Sequence, residues 1–430
     1  NLITLDTVLA SILIMLFDEP IVKHLLDHGM ATEGQDLAIL MMRIIAINPF
    51  LFSISSVLTS MQQAVGRFFF YALAPAIYSI GIIFGILFLA PTYGIVGVAF
   101  GVVIGSIAQL IIACFGMVGI GFEYKSSINW RSTGFRKVLT LLPQRSVDQG
   151  MDYFNNLVEI SIASRLRQGM INAWEVAFTL HWVPINLIGV AISTAAFPQM
   201  TERINQGRSD LFKKEFLTIF RVLIWLSLPT IIIAYFARGY LVRLLVAEGN
   251  VVIADLLGIL VMAIFFRAMF HLVSRSFYAH QDTKTPLIVS IFAIILNVAL
   301  AIYFVFPLGL DLGIFGLALA QSIVATLEVL TLIFIMNRRY GSIFDREFFI
   351  AIAKMSISAI IAGIVTYGMI LLFPLRASDI GFFALVPKFL LIVTVSLVTY
   401  VLASYALALD EAKPVIQKII RLIYKPVRIQ

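Results

Sequence analysis

Three blocks of this chain recur in the same order about 220 residues further on, and a recurrence of that length dictates a two-bundle architecture. Ile21-Val22-Lys23-His24-Leu25-Leu26-Asp27-His28-Gly29 returns as Leu241-Val242-Arg243-Leu244-Leu245-Val246-Ala247-Glu248-Gly249. Leu37-Ala38-Ile39-Leu40-Met41-Met42 returns as Leu257-Gly258-Ile259-Leu260-Val261-Met262, and Gly94-Ile95-Val96-Gly97-Val98-Ala99 as Gly313-Ile314-Phe315-Gly316-Leu317-Ala318. Six apolar runs separate corresponding points of the two copies. Six is even, so both copies cross a bilayer in the same direction, and an axis along the membrane normal relates the halves.

The bilayer is required by the composition, 60% apolar and 13% charged with a mean hydropathy of +0.99. A soluble domain is nearer half apolar and a quarter charged. Runs long enough to span fall at 1–17, 35–62, 71–91, 94–118, 137–164, 171–199, 216–236, 252–278, 286–306, 313–336, 349–373 and 383–408. The expected fold is therefore all-α and polytopic, with about 12 transmembrane helices of a full set of 14. Two spans precede the second copy of the first block, and none precedes the first copy. By symmetry two further helices are expected upstream of residue 1. The expected divisions are a first bundle at 1–118, a linker at 119–136, a second bundle at 137–336, a loop at 337–348, two added helices at 349–408 and a basic tail at 409–430.

The net charge of +7 is read by side of the membrane, not as a nucleic-acid footprint. Alternate connections hold Arg67; Lys125, Arg131, Arg136 and Lys137; Arg203, Arg208, Lys213 and Lys214; Lys284; and Arg338, Arg339 and Arg346. The opposite set holds fewer basic residues, so the first set and the C-terminus are expected in the cytoplasm. In the tail, Lys418, Arg421, Lys425 and Arg428 share one helical stripe beside apolar isoleucines. That pattern fits a helix lying on anionic inner-leaflet lipid or, on the blander reading, a solvated basic tail. The single cysteine, Cys114, rules out a disulfide within the chain and is expected to be a buried, inert thiol. Arg43, Arg221, Lys354 and Glu328 read as isolated charges near span ends, with Arg221 and Lys354 snorkelling.

The run at 137–164 carries Arg145, Asp148, Asp152, Asn155 and Glu159 at i, i+3, i+7, i+10 and i+14, which is one helical face. A charge at mid-bilayer costs about 3 kcal/mol on insertion scales. Such a face lines a hydrated cavity or, on the blander reading, ties helices together by a bridge from Arg145 to Asp148 or Asp152. His181, beside Trp182, Pro184 and Asn186, lines the same cavity or is a hydrogen-bonded structural residue. Arg267, His271 and Arg275 follow at i, i+4 and i+8 and face a cavity mouth, or Arg275 simply snorkels. Gly97, Gly101 and Gly105 form a small-residue strip suited to close helix contact. Pro143, Pro184, Pro198 and Pro229 sit in or at the ends of spans. No Walker loop, metal-ligand spacing or nucleophile–base pair is legible, so the chain is not expected to be an enzyme.

Phe277-Tyr278-Ala279-His280-Gln281-Asp282-Thr283-Lys284-Thr285-Pro286 resembles the F-Y-x-x-x-D-x-K-T-P loop of the MurJ/MviN lipid II flippases of the MOP exporter superfamily. Gly66-Arg67-Phe68 with Ala74-Pro75 resembles the corresponding loop of that family's first half. Leu157-Val158-Glu159-Ile160-Ser161-Ile162-Ala163-Ser164 resembles its seventh-helix L-V-D-T-x-x-A-S run, and Pro184 to Pro198 the end of its eighth helix. The likeness runs through nearly the whole chain.

The resemblance implies fourteen helices in a bacterial inner membrane and a role in peptidoglycan precursor transport. It implies a cationic cavity for the pyrophosphate–sugar headgroup of lipid II, a tail groove by the last two helices, and alternating access assisted by membrane potential or a cation, Na+ or H+. Arg145, Asp148, Asp152, Asn155, Glu159 and His181 would line the cavity, and Arg67, Asp282 and Lys284 would shape and gate the loops. No cofactor is implied. The partners implied are an anionic lipid-linked substrate, anionic lipids and cell-wall synthesis proteins. Two departures stand out. Phe178 and Thr179 occupy the place where the family usually carries Asp-Arg, and the family's essential early arginines belong to the expected upstream helices. Some relatives hold a cation between the seventh-helix carboxylate and later helices; Glu159 and Asn297 are placed to do so, but Ala301 supplies no ligand one turn on. A cation-coupled small-molecule exporter of the same superfamily and a non-transporting scaffold for wall synthesis are the alternatives.

Overall fold

A bilayer satisfies no backbone polar groups, so each crossing segment must close its own hydrogen bonds as a helix. The computed structural model describes residues 2–23, 32–65, 67–119, 150, 153–246, 249–307, 309–341, 343–376, 379 and 381–423. Among them ten helices are long and apolar enough to cross a membrane, and these match ten of the twelve runs read from the sequence. Of the remaining two runs, the first is the shorter helix α1, Leu2–Leu16. The other, 137–164, lies outside the described residues except for residue 150 and a helix at 153–164.

The chain divides into two compact units, Asn1–Ser146 and Val147–Gln430. In the first, α1 is followed by the short α2 (Asp18–Ile21), α3 (Thr32–Ile45), α4 (Asn48–Ala64), α5 (Phe68–Phe84) and α6 (Ile95–Phe115). Pro49 sits in the first turn of α4, where its missing N–H costs nothing. α5 continues through a π-helical turn at Gly85–Leu89 to Tyr93. α6 packs on α3, α4 and α5, and α1 packs on α4.

The second unit holds α7 (153–164), α8 (Met170–Pro184), α9 (Ala191–Asn205), α10 (Ser209–Phe236), α11 (Arg238–Leu245), α12 (Val251–Ala279), α13 (Lys284–Val305), α14 (Ile314–Tyr340), α15 (Arg346–Leu372), α16 (Phe382–Ala406) and α17 (Ala412–Ile423). A π-helical segment, Ile185–Val190, joins α8 to α9 directly after Pro184. A proline removes an N–H from the ladder, and one inserted residue is a common local answer. α14 packs on α12 and α13, and α10 packs on α12. The first unit repeats this scheme with α6, α4, α5 and α1.

The repeat extends to the backbone. Gly94 caps α6 at φ 61°, ψ −149°, and Gly313 caps α14 at φ 56°, ψ −139°. Residues with a Cβ avoid that region. Behind each cap the helices come close: a Cβ on Gly316 would lie 2.8 Å from the Phe304 carbonyl carbon, and one on Gly101 2.5 Å from the Gly85 Cα. The small-residue strip of α6 thus seats it on α5.

Large apolar side chains cover the outside; Phe383 is 91% exposed, Leu187 73% and Phe69 70%. Only a lipid solvent tolerates that surface. Small polar contacts lie inside, as Thr366 donates to Ser396 across α15 and α16 at 2.7 Å and Trp225 donates to Ser404 across α10 and α16 at 3.1 Å.

Four side chains depart from the sequence reading. Cys114 is exposed, not buried, because an apolar run in a membrane protein can face lipid as readily as core. Arg221 does not snorkel alone: its Nε meets Glu411 at 2.6 Å. Arg43 pairs with Asp18. Glu328 is paired as well, in the site described below. Each partner is remote in sequence or across a turn that no helical spacing links.

Replacing Gly101 by Leu should destabilise the protein by about 1–3 kcal/mol through overpacking. Gly368→Ala, where nothing lies within 4 Å, should change little. Thermal unfolding in detergent compares them.

Candidate functional site

α7 is divided lengthwise. Tyr153, Phe154 and Leu157 are exposed, while Asn155 and Glu159, one turn apart, are buried within the second unit. α13 meets this polar face with Asn297. The Asn297 Nδ2 donates to Glu159 Oε1 at 2.7 Å and to Asn155 Oδ1 at 2.9 Å, and Asn155 Nδ2 donates to the same Glu159 oxygen at 2.9 Å. Glu159 Oε2 and Asn297 Oδ1 are buried without a hydrogen-bond partner. One turn beyond Asn297, Ala301 is buried in the apolar core.

A second polar group ties three helices. Arg267 on α12 donates from Nη1 to Glu328 Oε2 on α14 at 2.9 Å, and Ser290 on α13 donates to Glu328 Oε1 at 2.7 Å. The Glu328 side chain is 1% exposed and that of Arg267 16%. The guanidinium also lies 5.8 Å from the Phe270 ring centre. Arg267, expected at a cavity mouth, is therefore held inside the bundle by a carboxylate.

His181 on α8 is fully buried, and its Nδ1 lies 2.7 Å from the Phe178 carbonyl oxygen. A carbonyl only accepts, so Nδ1 carries the proton and Nε2 presents a lone pair to the core with no partner. His271 and Arg275 are half-buried on α12, and His271 Nε2 also lacks a partner. Glu175 on α8, which the sequence reading passed over, has one buried carboxylate oxygen without a partner. Its charge opposes that of Glu159, while Arg267 attracts it.

The structure thus brings together Asn155, Glu159 and Asn297, and separately Arg267, Glu328 and Ser290. Arg145, Asp148 and Asp152 lie outside the described residues. Ser290 carried no signal in the sequence, and Glu328 read only as an isolated charge near a span end; Gln109 stands at the same distance after Gly94 as Glu328 after Gly313. Gln109 also bonds across helices, to Ser55 at 3.3 Å. Among the described residues no group of three or more His, Cys, Asp or Glu is arranged to hold a metal.

The loop residues tie helix ends. Arg67 donates to the Val118 carbonyl at 2.6 Å, joining the α4–α5 turn to the end of α6. In the second unit Asp282 accepts from the Thr285 N–H at 3.0 Å, the Thr285 hydroxyl at 2.6 Å and Arg339 Nη1 at 2.5 Å, joining the α12–α13 turn to the end of α14. Lys284 is exposed at the start of α13.

Glu328→Gln should cost about 3–5 kcal/mol, because it leaves a buried guanidinium uncompensated. The double change Arg267→Met, Glu328→Leu should recover most of that stability in thermal or denaturant unfolding. Asp282 titrates below its ordinary range: burial pushes it up, but the Thr285 bonds and Arg339 outweigh burial. Its contribution is full above the unfolded carboxylate value and lost as pH falls through the lower folded one. Opening of this loop, read by proteolysis, should therefore begin only below about pH 4, and in Asp282→Asn it should be present at neutral pH.

The sequence model of the family described as lipid II flippase MurJ matches residues 2–386. A probable lipid II flippase MurJ from Thermotoga maritima is 26% identical over 398 residues, covering 91% of this chain and 76% of the relative. One from Borreliella burgdorferi is 25% identical over 295 residues, covering 67% of this chain and 58% of the relative's length. The fold is similar to a structure described as lipid II flippase MurJ in an inward closed conformation, with a TM-score of 0.75 at 22% identity over 93% of this chain and 80% of that one. It is also similar to an inward-facing multidrug resistance MATE family transporter of the MOP superfamily, with a TM-score of 0.64 at 16% identity over 79% of this chain and 80% of that one. A duplicated, all-helical membrane bundle with this match along most of its length belongs to the MurJ lipid II flippase family.

Proposed function

We propose that this chain moves lipid II, the lipid-linked anionic precursor of peptidoglycan, across the bacterial inner membrane by alternating access. The family match over residues 2–386 carries the reading. The buried polar groups of the second unit support it, since ionisable side chains at membrane depth mark substrate or ion pathways. In this reading the stripe from Arg145 to Glu159 serves the passage of the headgroup, with Arg145 as its cationic partner where Phe178 and Thr179 replace the family's usual pair. A guanidinium is the natural bidentate partner of a pyrophosphate. α15 and α16 take the polyprenyl tail. The ties at Arg67 and at Asp282–Arg339 hold the loop ends through the cycle. The C-terminus lies in the cytoplasm, with α17 on the anionic leaflet.

A second reading, export of a cationic small molecule, is favoured by one observation, the fold shared with a MATE transporter. The two are separated in cells depleted of their own flippase. Lipid II transport predicts that the chain restores growth, that Glu159→Gln and Arg145→Ala abolish rescue with normal membrane insertion, and that dye efflux is unchanged. Dye efflux without rescue would replace the flippase reading with the exporter. Full growth of both variants would remove the stripe from the mechanism.

A further inference from the structure

The second copy of the repeat carries three side chains that the first lacks. At the spacing of the first repeated block, Arg221, Trp225 and Tyr240 stand where the first copy has Asn1, Leu5 and Pro20. Leu5 is 61% exposed, while Trp225 and Tyr240 are buried. Each of the three donates a hydrogen bond to the pair α15–α16 or to a turn that bounds it. That pair lies beyond the repeated blocks.

Where α10 ends, α11 turns across the end of α15. Tyr240 Oη donates to the Phe373 carbonyl at 2.5 Å, and Arg243 Nη1 donates to the Arg376 carbonyl at 2.8 Å. Donors and acceptors are both three residues apart, so the two grips run in register. Carbonyls at the end of a helix lack an intrahelical N–H, which leaves them open to such donors. Tyr240 also packs with Leu385 and Ile392 of α16. The loop between α15 and α16 is folded down in its turn: Asp379 accepts from the Arg376 N–H at 3.0 Å and from Lys388 Nζ at 2.7 and 2.8 Å.

Towards the start of α10 the tie is ionic. Arg221 Nε donates at 2.6 Å to Glu411, in the turn between α16 and α17, and the Glu411 side chain is 6% exposed. One turn on, Trp225 Nε1 donates to Ser404 at 3.1 Å, and its ring lies 5.7 Å from that of Tyr400. Phe220 stacks on Phe348 of α15 at 5.9 Å. Between these ends the seam stays open. Leu228, Ile232 and Phe236 of α10 and Ile360, Gly363 and Tyr367 of α15 border an apolar groove of about 580 Å³. The polar ties thus concentrate at the two ends of the seam.

We propose that Arg221, Trp225 and Tyr240 fasten a brace: α10, α11, α15 and α16 keep one mutual geometry, and the added pair is carried with α10 through any change of conformation. Ties at opposite faces of the membrane stop α15–α16 from tilting or sliding against α10, and the stacked aromatics resist rotation about the line between them. A buried arginine–carboxylate pair is costly to part, because parting leaves a charge uncompensated. One consequence rests on the flippase reading: the seat of the polyprenyl tail travels with α10.

Pulsed electron resonance distances test the brace without cargo. Spin labels replace Leu245 and Leu390 at one end, and Thr218 and Leu402 at the other, all exposed positions, in the chain with Cys114→Ser in lipid nanodiscs. One narrow distance is expected at each end. Tyr240→Phe, which removes only the hydroxyl, should broaden the first distribution and leave the second, and Glu411→Gln should do the reverse. A broad or double distribution in the parent chain, or a variant whose own end stays narrow, would overturn the proposal. A second measurement uses growth. Cysteines at Gly239 and Leu375, where a Cβ on Gly239 would lie 3.5 Å from the Leu375 side chain, are bridged with a short thiol reagent. Bridged and unbridged chains should rescue growth equally, and loss of rescue on bridging alone would contradict the brace. If neither chain rescues, the flippase reading falls, and the distances still decide the brace.

Discussion

Everything in this protein depends on the absence of water in the hydrocarbon layer. A charge there has no solvent to fall back on, so it must find its counter-charge or its hydrogen bonds among neighbouring helices. Arg267, Glu328 and Ser290 meet that demand by joining α12, α13 and α14 through one carboxylate. Asn155, Glu159 and Asn297 meet it only in part, since Glu159 Oε2 and Asn297 Oδ1 are left without partners. The same solvent frees the outside to be apolar and leaves small polar and glycine contacts to hold the helices together.

Duplication supplied the scaffold, and divergence supplied the chemistry. Both halves seat one helix against its neighbour through a glycine cap in the same unusual conformation, at Gly94 and Gly313. Both tie the turn before the preceding helix to the far end of the seated one. The first does so with Arg67 on a backbone carbonyl, the second with Asp282 and Arg339. At matching depth the first half keeps a neutral Gln109, while the second places Glu328 and answers it with Arg267. At that depth the two copies of the fold differ in charge, with a neutral glutamine in one and an ion pair in the other.

Much of this was legible in the sequence. Apolar length placed ten spans, since a helix that crosses a bilayer has few alternatives. The repeat foretold the shared helix scheme, and the i, i+4 spacing of Asn155 and Glu159 foretold that the two share a face, though not that the face is buried. Pairing between helices was not legible. Arg221 with Glu411 and Arg267 with Glu328 are set by packing in three dimensions, and periodicity along one helix carries no word of them. Cys114 misled because hydropathy reports lipid and protein interior alike. Glu175 escaped notice because a single carboxylate in an apolar run has no pattern.

The central claim is that the polar face of α7 is clasped by α13 inside the second bundle. Cross-linking with a short bifunctional thiol reagent in native membranes tests it most directly, with Cys114 replaced by serine. Cysteines at Asn155 and Asn297, whose amide groups meet at 2.9 Å, should be bridged by it. A cysteine at Leu157, on the lipid side of the same helix, should not link to position 297. A bond from 157 and none from 155 would turn the helix over and remove the polar centre from the protein.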